Sequence, residues 1–361
     1  MYTVAILGVG IGAQHLEGYR AHPELFHVAT LCDQDRARAE ALAAPLTGCS
    51  VVTDIAAVME DREIDIVDIC LPPHLHPPVA LEAFAAGKHV ICEKPLAGSV
   101  VEADALAKAA NDAGCLLAPI FQYRYGRALY QLSALQKKGL AGKPLVATLE
   151  THWNRSDDYY AVPWRGRWES ERGGAVLGHA IHIHDLISGI FGAVTEVTAL
   201  LDTRVNDIEV EDCAAISART ESGSLVTSSI TLGSAGDMSR LRLVFSELTA
   251  ESGRNPYAPG ADVWQFAARD PGRQELLDKA LVEIETEIAG WPVGYAGQFW
   301  AIAKHLDGGP SSMVTAEDGI RSVELVAAIY LAARTGTCVS LPLDRDHPIC
   351  RDWTPETGTQ P

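Results

Sequence analysis

Three groups of residues in this chain have the types and spacing that chemistry requires. In the first, ILGVGIGAQH, Gly8, Gly10 and Ala13 follow a short apolar run, and Asp33 closes the next such run about 20 residues after Ala13. Small residues at such a turn let the backbone approach a pyrophosphate and let a helix begin against the strand with its amides toward the anion. A carboxylate ending the second strand accepts the adenosine ribose hydroxyls. The pattern predicts a dinucleotide site made by Gly8, Gly10, Ile11, Gly12, Ala13 and Asp33. A carboxylate there repels a 2′-phosphate, so NAD is favoured and NADP disfavoured. Arg36 and Arg38 stand close by and could reverse the preference by reaching a phosphate.

The second group is the run KHVICEKPLAG, in which Lys94 follows an apolar strand. A parallel sheet presents its ligands at the carboxyl ends of its strands, and desolvation in that crevice tunes an ammonium. Glu93 either reaches the ribose side of the cofactor or orients Lys94. The preceding loop, with Leu71, Pro72, His74 and His76, is expected across the nicotinamide half. As residues at a helix start, His74 and His76 could equally have no chemistry.

The third group is GGAVLGHAIHIHDL, where His179, His182 and Asp185 recur at intervals of three on one helical face. Such a face suits proton abstraction, and it also offers ligands to a divalent metal. With no fourth ligand in reach, no metal site is predicted. His184 points elsewhere and reads as packing. Upstream, Trp153, Tyr159, Tyr160, Trp164 and Trp168 alternate with Arg155, Arg165, Arg167 and Arg172. Aromatic faces stack on the C–H faces of sugars and guanidinium groups grip hydroxyls or carboxylates, so Arg155, Trp164 and Arg165 are expected to bind substrate. Arg124 adds positive charge, and an anionic sugar fits the set. The same composition also suits an interface between copies.

The elements that must position these groups change character along the chain. Over residues 1–121, β-branched runs alternate with Ala-rich helical stretches, which implies a doubly wound parallel sheet of the Rossmann type. Residues 122–361 read as a substrate-binding and oligomerisation domain of the α+β class, with a large, mainly antiparallel open sheet. Its helices are expected over Gly178–Phe191, Gly297–Leu306 and Thr315–Ala333. The tail after Pro348 reads as polar and loose.

The stretch VDICLPPHLHPPVALEAFAAGKHVICEKPLA resembles the corresponding part of the Gfo/Idh/MocA oxidoreductases, the family of glucose-fructose oxidoreductase and inositol dehydrogenase. The likeness extends over nearly the whole chain. It implies NAD(P)-dependent oxidation or reduction of a secondary hydroxyl of a cyclic sugar, sugar acid or polyol. By the same resemblance Lys94 lies beside the nicotinamide and the reacting hydroxyl, and His182 is the general base. The family's D-x-G-x-H-x-x-D block is altered here. His182 and Asp185 match it, but Gly178 stands where the first Asp belongs, one turn from the base. His179 could take part of that role. Some similar families cleave glycosides by transient oxidation, elimination and re-reduction, and the altered block keeps that as the alternative activity. A non-catalytic NAD-binding regulator is a third reading, and the intact Glu93-Lys94-Pro95 motif counts against it.

Composition narrows the partners. With 29 Lys+Arg against 47 Asp+Glu, the net charge of −18 repels phosphate backbones and anionic membranes. No apolar run approaches the roughly 18 residues that span a bilayer. The opening MYTVAILGVG has no basic segment of the signal-peptide kind, and the 8 cysteines form no C-x-x-C pair. A cytoplasmic location is expected. An open antiparallel sheet with one uncovered face predicts a homo-oligomer, dimer or tetramer.

Overall fold

The computed structural model describes residues 1–355. The chain forms two compact units, Met1–Phe121 with Tyr295–Val323, and Gln122–Gly294 with the remainder from Glu324.

In the first unit, six parallel strands run β1 (Tyr2–Leu7), β2 (Phe26–Cys32), β3 (Ser50–Val52), β4 (Ile66–Ile69), β5 (His89–Cys92) and β6 (Leu117–Pro119). Their order across the sheet is β3-β2-β1-β4-β5-β6, the doubly wound arrangement the alternating pattern predicts. Strand order reverses between β1 and β4, where such sheets open a ligand crevice. Burial on both faces explains why β4 is apolar throughout except for Asp68, which lies fully inside.

The expected division at residue 121 differs in one respect. Helix Gly294–Leu306 contributes Phe299, Ile302 and Ala303 to the core of this first unit, beside Leu16, Tyr19 and Phe26. The Phe299 ring stacks on Tyr19 at 4.0 Å between centroids. Gly18 makes this approach feasible, since a Cβ there would lie 2.8 Å from the Phe299 ring. Residue types alone do not reveal such a partner nearly 300 positions away.

The second unit is built on eight strands, β7 (Pro144–Asn154), β8 (Val194–Asp202), β9 (Cys213–Thr220), β10 (Leu225–Thr231), β11 (Gly233–Phe245), β12 (Leu248–Glu251), β13 (Gln265–Ala268) and β14 (Val339–Ser340). They lie in the order β13-β12-β11-β7-β10-β9-β8-β14, antiparallel except for the β7–β10 pair. Inward residues such as Leu149, Val226, Leu241 and Leu243 meet Leu132, Ile183, Ile187 and Ile284 from three helices, Arg127–Lys137, Ile181–Phe191 and Gln274–Glu287. The opposite face carries Thr148, Leu200, Ser217, Thr227 and Ser229 exposed. The first and third of these helices, and the strands β12 and β13, are absent from the sequence-based expectation.

Helix Ala316–Thr335 starts where expected, its first turn closed by Thr315 and Asp318 bonding each other's backbone and side chain. The segment after Pro348 departs from the expected loose tail as far as it is described: Ile349, Cys350 and Trp353 are buried, and the Trp353 indole donates to the Arg172 carbonyl. Three apolar anchors suffice to dock a mostly polar stretch. None of the helices is long and apolar enough to cross a membrane, among the described residues.

Candidate active site

Gly8 ends β1 with φ of +90°, and a Cβ there would lie 2.5 Å from the Cys70 carbonyl oxygen at the end of β4. Only glycine fits the turn. At Gly10 the reverse holds, since a Cβ would meet nothing within 4 Å, so the backbone faces open space of the kind a pyrophosphate needs. Helix Gly12–Arg20 follows at once. The close helix-to-strand contact falls on Gly12, whose Cβ would sit 2.7 Å from Ile6, rather than on Ala13 as the spacing suggests. The glycine cradle and the acidic strand end therefore fit a dinucleotide.

Asp33 accepts from the amides of Val9 and Asp35 at 2.8 Å each and from Arg38 Nη2 at 2.8 and 3.0 Å. Burial works to raise its pKa, but the two amides and the guanidinium outweigh it and hold the carboxyl below its ordinary range. Arg36 pairs with Glu40. Both arginines that could have met a phosphate are thus engaged with carboxylates.

At the end of β5, Glu93 is buried and its Oε2 accepts from the Lys94 amide at 3.0 Å. Its Oε1 meets His15 Nε2 at 3.1 Å and Tyr295 Oη at 3.3 Å. His15 in turn holds Asp68 through Nδ1 at 2.8 Å, and Asp68 accepts from Tyr19. Burial alone would strip the proton from His15, yet the Asp68 carboxylate bonded to its ring outweighs burial and raises its pKa well above the usual imidazole value. His15 thus bridges two buried carboxyls, and the bridge fixes the strand end that carries Lys94 to the helix that follows the glycine turn. His15, Asp68 and Cys70 also lie close enough to one another to hold a metal. Their polar atoms already bond one another, and burial drives the Cys70 thiol far from the thiolate a metal would need.

The loop after β4 is pinned by His76, whose ring nitrogens lie 2.7 Å from the Pro95 carbonyl and 2.8 Å from the Leu71 carbonyl. This imidazole is buried and braces two loops, so its nitrogens are turned away from any cofactor expected there. His74 is exposed on the same loop, and Leu71 and Pro72 are half-buried.

In the second unit, the segment carrying the histidines begins as a π-turn, Val176–Ala180, and continues as helix Ile181–Phe191. Its first amides are satisfied by the buried Glu211, which accepts from Gly174 at 3.1 Å and Val176 at 3.0 Å, with Tyr330 Oη bonded to the same carboxyl. Burial pushes the Glu211 carboxyl up to about 7. The Gly173-Gly174 pair has a steric reason, because a Cβ at 174 would overlap the Glu211 carbonyl oxygen at 1.9 Å. His182 is buried, its ring stacked on Tyr123 at 4.4 Å. His179 Nε2 lies 3.4 Å from Tyr159 Oη, and its ring stands edge-on to Trp153. His184 bonds Ser228 at 3.0 Å on the other side, where burial lowers its pKa to about 4. Asp185 takes both arms of Arg124, at 2.6 and 2.7 Å, so its carboxylate serves a guanidinium and not a metal.

The aromatic and arginine segment is not one loop. Trp153 lies in β7, buried, and Arg155 just after it is paired with Asp237 at 3.1 Å. Arg155 is therefore a structural cation rather than a spare one. Arg165 lies 3.8 Å above the Tyr159 ring, near Trp164, and forms no ion pair among the described residues. Sequence reasoning missed Glu211, Tyr123, Asp237 and the His15–Asp68 pair. For His15 a signal existed, a histidine two residues past a dinucleotide fingerprint; the others depend on contacts that spacing does not encode.

A family model described as an oxidoreductase family with an NAD-binding Rossmann fold matches residues 2–121, and the Gfo/Idh/MocA C-terminal domain model matches residues 130–251. The two halves of one family's architecture thus cover more than half of the chain in their proper order. The chain belongs to the Gfo/Idh/MocA family. This Gfo/Idh/MocA protein is 31% identical over 211 residues to levoglucosan dehydrogenase of Pseudarthrobacter phenanthrenivorans, a match covering 56% of the chain and only 54% of that relative's length. It is 27% identical over 360 residues to D-glucoside 3-dehydrogenase of Escherichia coli K12, covering 94% of the chain and 97% of the relative. Its fold is similar, with a TM-score of 0.82 and 26% identity over 95% of this chain and 98% of the other, to the WlbA dehydrogenase from Bordetella pertussis, solved with NADH and UDP-GlcNAcA.

Proposed function

We propose that this Gfo/Idh/MocA protein is an NAD-dependent dehydrogenase that reversibly oxidises a secondary hydroxyl of a cyclic sugar, sugar acid or polyol. The observation that carries the reading is the end of β5, where Glu93, braced by His15 and Tyr295, clamps the backbone of Lys94 at the ligand-presenting edge of the sheet. Lys94 hydrogen-bonds the reacting oxygen and steadies the alkoxide, and His182 accepts the hydroxyl proton. Bound NAD supplies the hydride acceptor. The backbone at Gly8 and Gly10 holds its pyrophosphate and Asp33 its ribose diol. Arg165, which pairs with no carboxylate among the described residues, offers a grip for an acidic group on the sugar, and the sugar acid in the WlbA complex is of this kind.

A screen of cyclic polyols, aldoses, uronates and aryl glycosides, read by NADH absorbance, tests the assignment. NADH accumulating with a non-glycosidic sugar, sugar acid or polyol supports it. Release of an aglycone without net NADH would replace it by redox-neutral glycoside cleavage. Cofactor binding with no turnover of any member would overturn enzymatic function.

Cofactor choice has its own test. Asp33→Ser frees Arg38 from its partner and removes the acceptor for the ribose diol. The NADP-to-NAD ratio of kcat/KM is expected to rise by about 10- to 100-fold, the worth of one charge-assisted hydrogen bond. A ratio unchanged by the substitution would remove Asp33 from the cofactor site.

A further inference from the structure

Gly178 lies on the histidine face, one helical turn before His182, and carries no side chain of its own. A Cβ built on it would come within ordinary contact distance of the Glu171 Oε1, at 3.7 Å. Glu171 arrives there from a separate element. It ends the short helix Trp168–Glu171, and Arg172 turns the chain back with φ of +69°. Its other oxygen, Oε2, accepts from the Gly166 amide, and Oε1 is the oxygen nearer Gly178. The side chain is buried, and its charge reaches the neighbouring phenols. After burial itself, Glu171 is the main cause raising the Tyr160 pKa, and it also raises that of Tyr159, the residue whose hydroxyl meets His179.

From this geometry we infer that Glu171 is the carboxylate partner of the His179–His182 face, delivered through space to the position that Gly178 leaves open. The inference rests on His182 being the proton acceptor. A buried negative charge one turn from that imidazole favours the imidazolium formed when the hydroxyl gives up its proton, and so acts on the reaction through His182. Glu171 is a positioning residue in this sense. It makes a glycine at 178 compatible with base catalysis, and it ties the base to the segment that carries Trp164 and Arg165.

Other charged and titratable groups bear on the same helix. Tyr123 stacks on His182, the Arg124–Asp185 pair neutralises itself, His179 lies one turn away and meets Tyr159, and Tyr159 in turn lies under Arg155 and Arg165 and against Tyr160. Each remains in place when Glu171 becomes Gln, which keeps an acceptor for the Gly166 amide.

The test is a cycle on the intact protein. Glu171→Gln is expected to lower kcat about tenfold, with NADH affinity unchanged, and to move the acidic limb of the kcat/KM pH profile down by about one unit, since the imidazolium has lost its partner. Adding Gly178→Asp to that variant returns the carboxylate from the helix itself and is expected to restore most of both. In the parent chain Gly178→Asp sets two carboxylates against each other and lowers kcat at least about fivefold below Gly178→Asn. An E171Q profile that does not move, or a double variant no better than E171Q, would overturn the inference. If E171Q fails to fold, the comparison of Asp with Asn at 178 decides, equal rates counting against it. His182→Ala separates the layers: full activity there defeats the underlying reading, whereas an inactive H182A beside a normal E171Q defeats only the role of Glu171.

Discussion

Lys94→Ala is expected to cut kcat/KM by about 10³-fold or more while leaving the affinity for NADH within about threefold. On the proposed reading the loss is large because the ammonium is held in place before the alkoxide develops, and the alanine variant has nothing to replace it. The affinity should survive because the residues expected to grip the dinucleotide, Gly8, Gly10 and Asp33, lie on other strands of the sheet, and because Glu93 is held by His15 and Tyr295 whether or not residue 94 has a side chain. Lys94→Arg should not recover the rate, since a planar fork cannot stand in for a point charge at one oxygen. Stopped-flow turnover beside NADH fluorescence titration measures both quantities. A K94A protein retaining a tenth of the parent rate would remove Lys94 from the chemistry.

Much of the first unit was legible because parallel strands announce themselves. Val4–Leu7, His89–Cys92 and the glycine turn are local signals, and the strand order follows from the strand–helix alternation. The same logic could not show that Tyr295–Val323 returns to this unit, since the deciding contact is one aromatic ring on another far along the chain. In the second unit the histidine block was readable as a helical face, yet what holds it was not. Glu211 reaches back to the Gly174 and Val176 amides, and the Glu171 carboxyl lies where a side chain at Gly178 would begin. Glu211 stands at no helical interval from those amides, and the stretch from Glu171 to Gly178 does not form one helix, because Arg172 turns the chain between them. Arg155 and Arg124 show the converse, being read as cations for substrate while Asp237 and Asp185 had already claimed them. Charge counted along a sequence overstates the charge available to a ligand, because partners are set by the fold.

On the proposed reading His182→Ala removes the proton acceptor, and a positioned base is worth about 10² to 10⁴ in rate, so turnover near neutral pH should fall by that factor. The pH dependence gives the sharper reading. Without the imidazole, the hydroxyl must lose its proton to solvent or hydroxide, so the residual rate should keep rising with pH where the parent protein has levelled off. His182→Gln serves as the packing control, because it fills part of the space against Tyr123 without being a base, and it should be as slow as the alanine variant. His179→Ala should cost less, since the proposed reading gives the proton to His182 and leaves His179 engaged with Tyr159 and Trp153. If H182Q and H182A both turned over at the parent rate with the parent pH profile, the proton would have to leave by another route, and His179 would be the residue to test next.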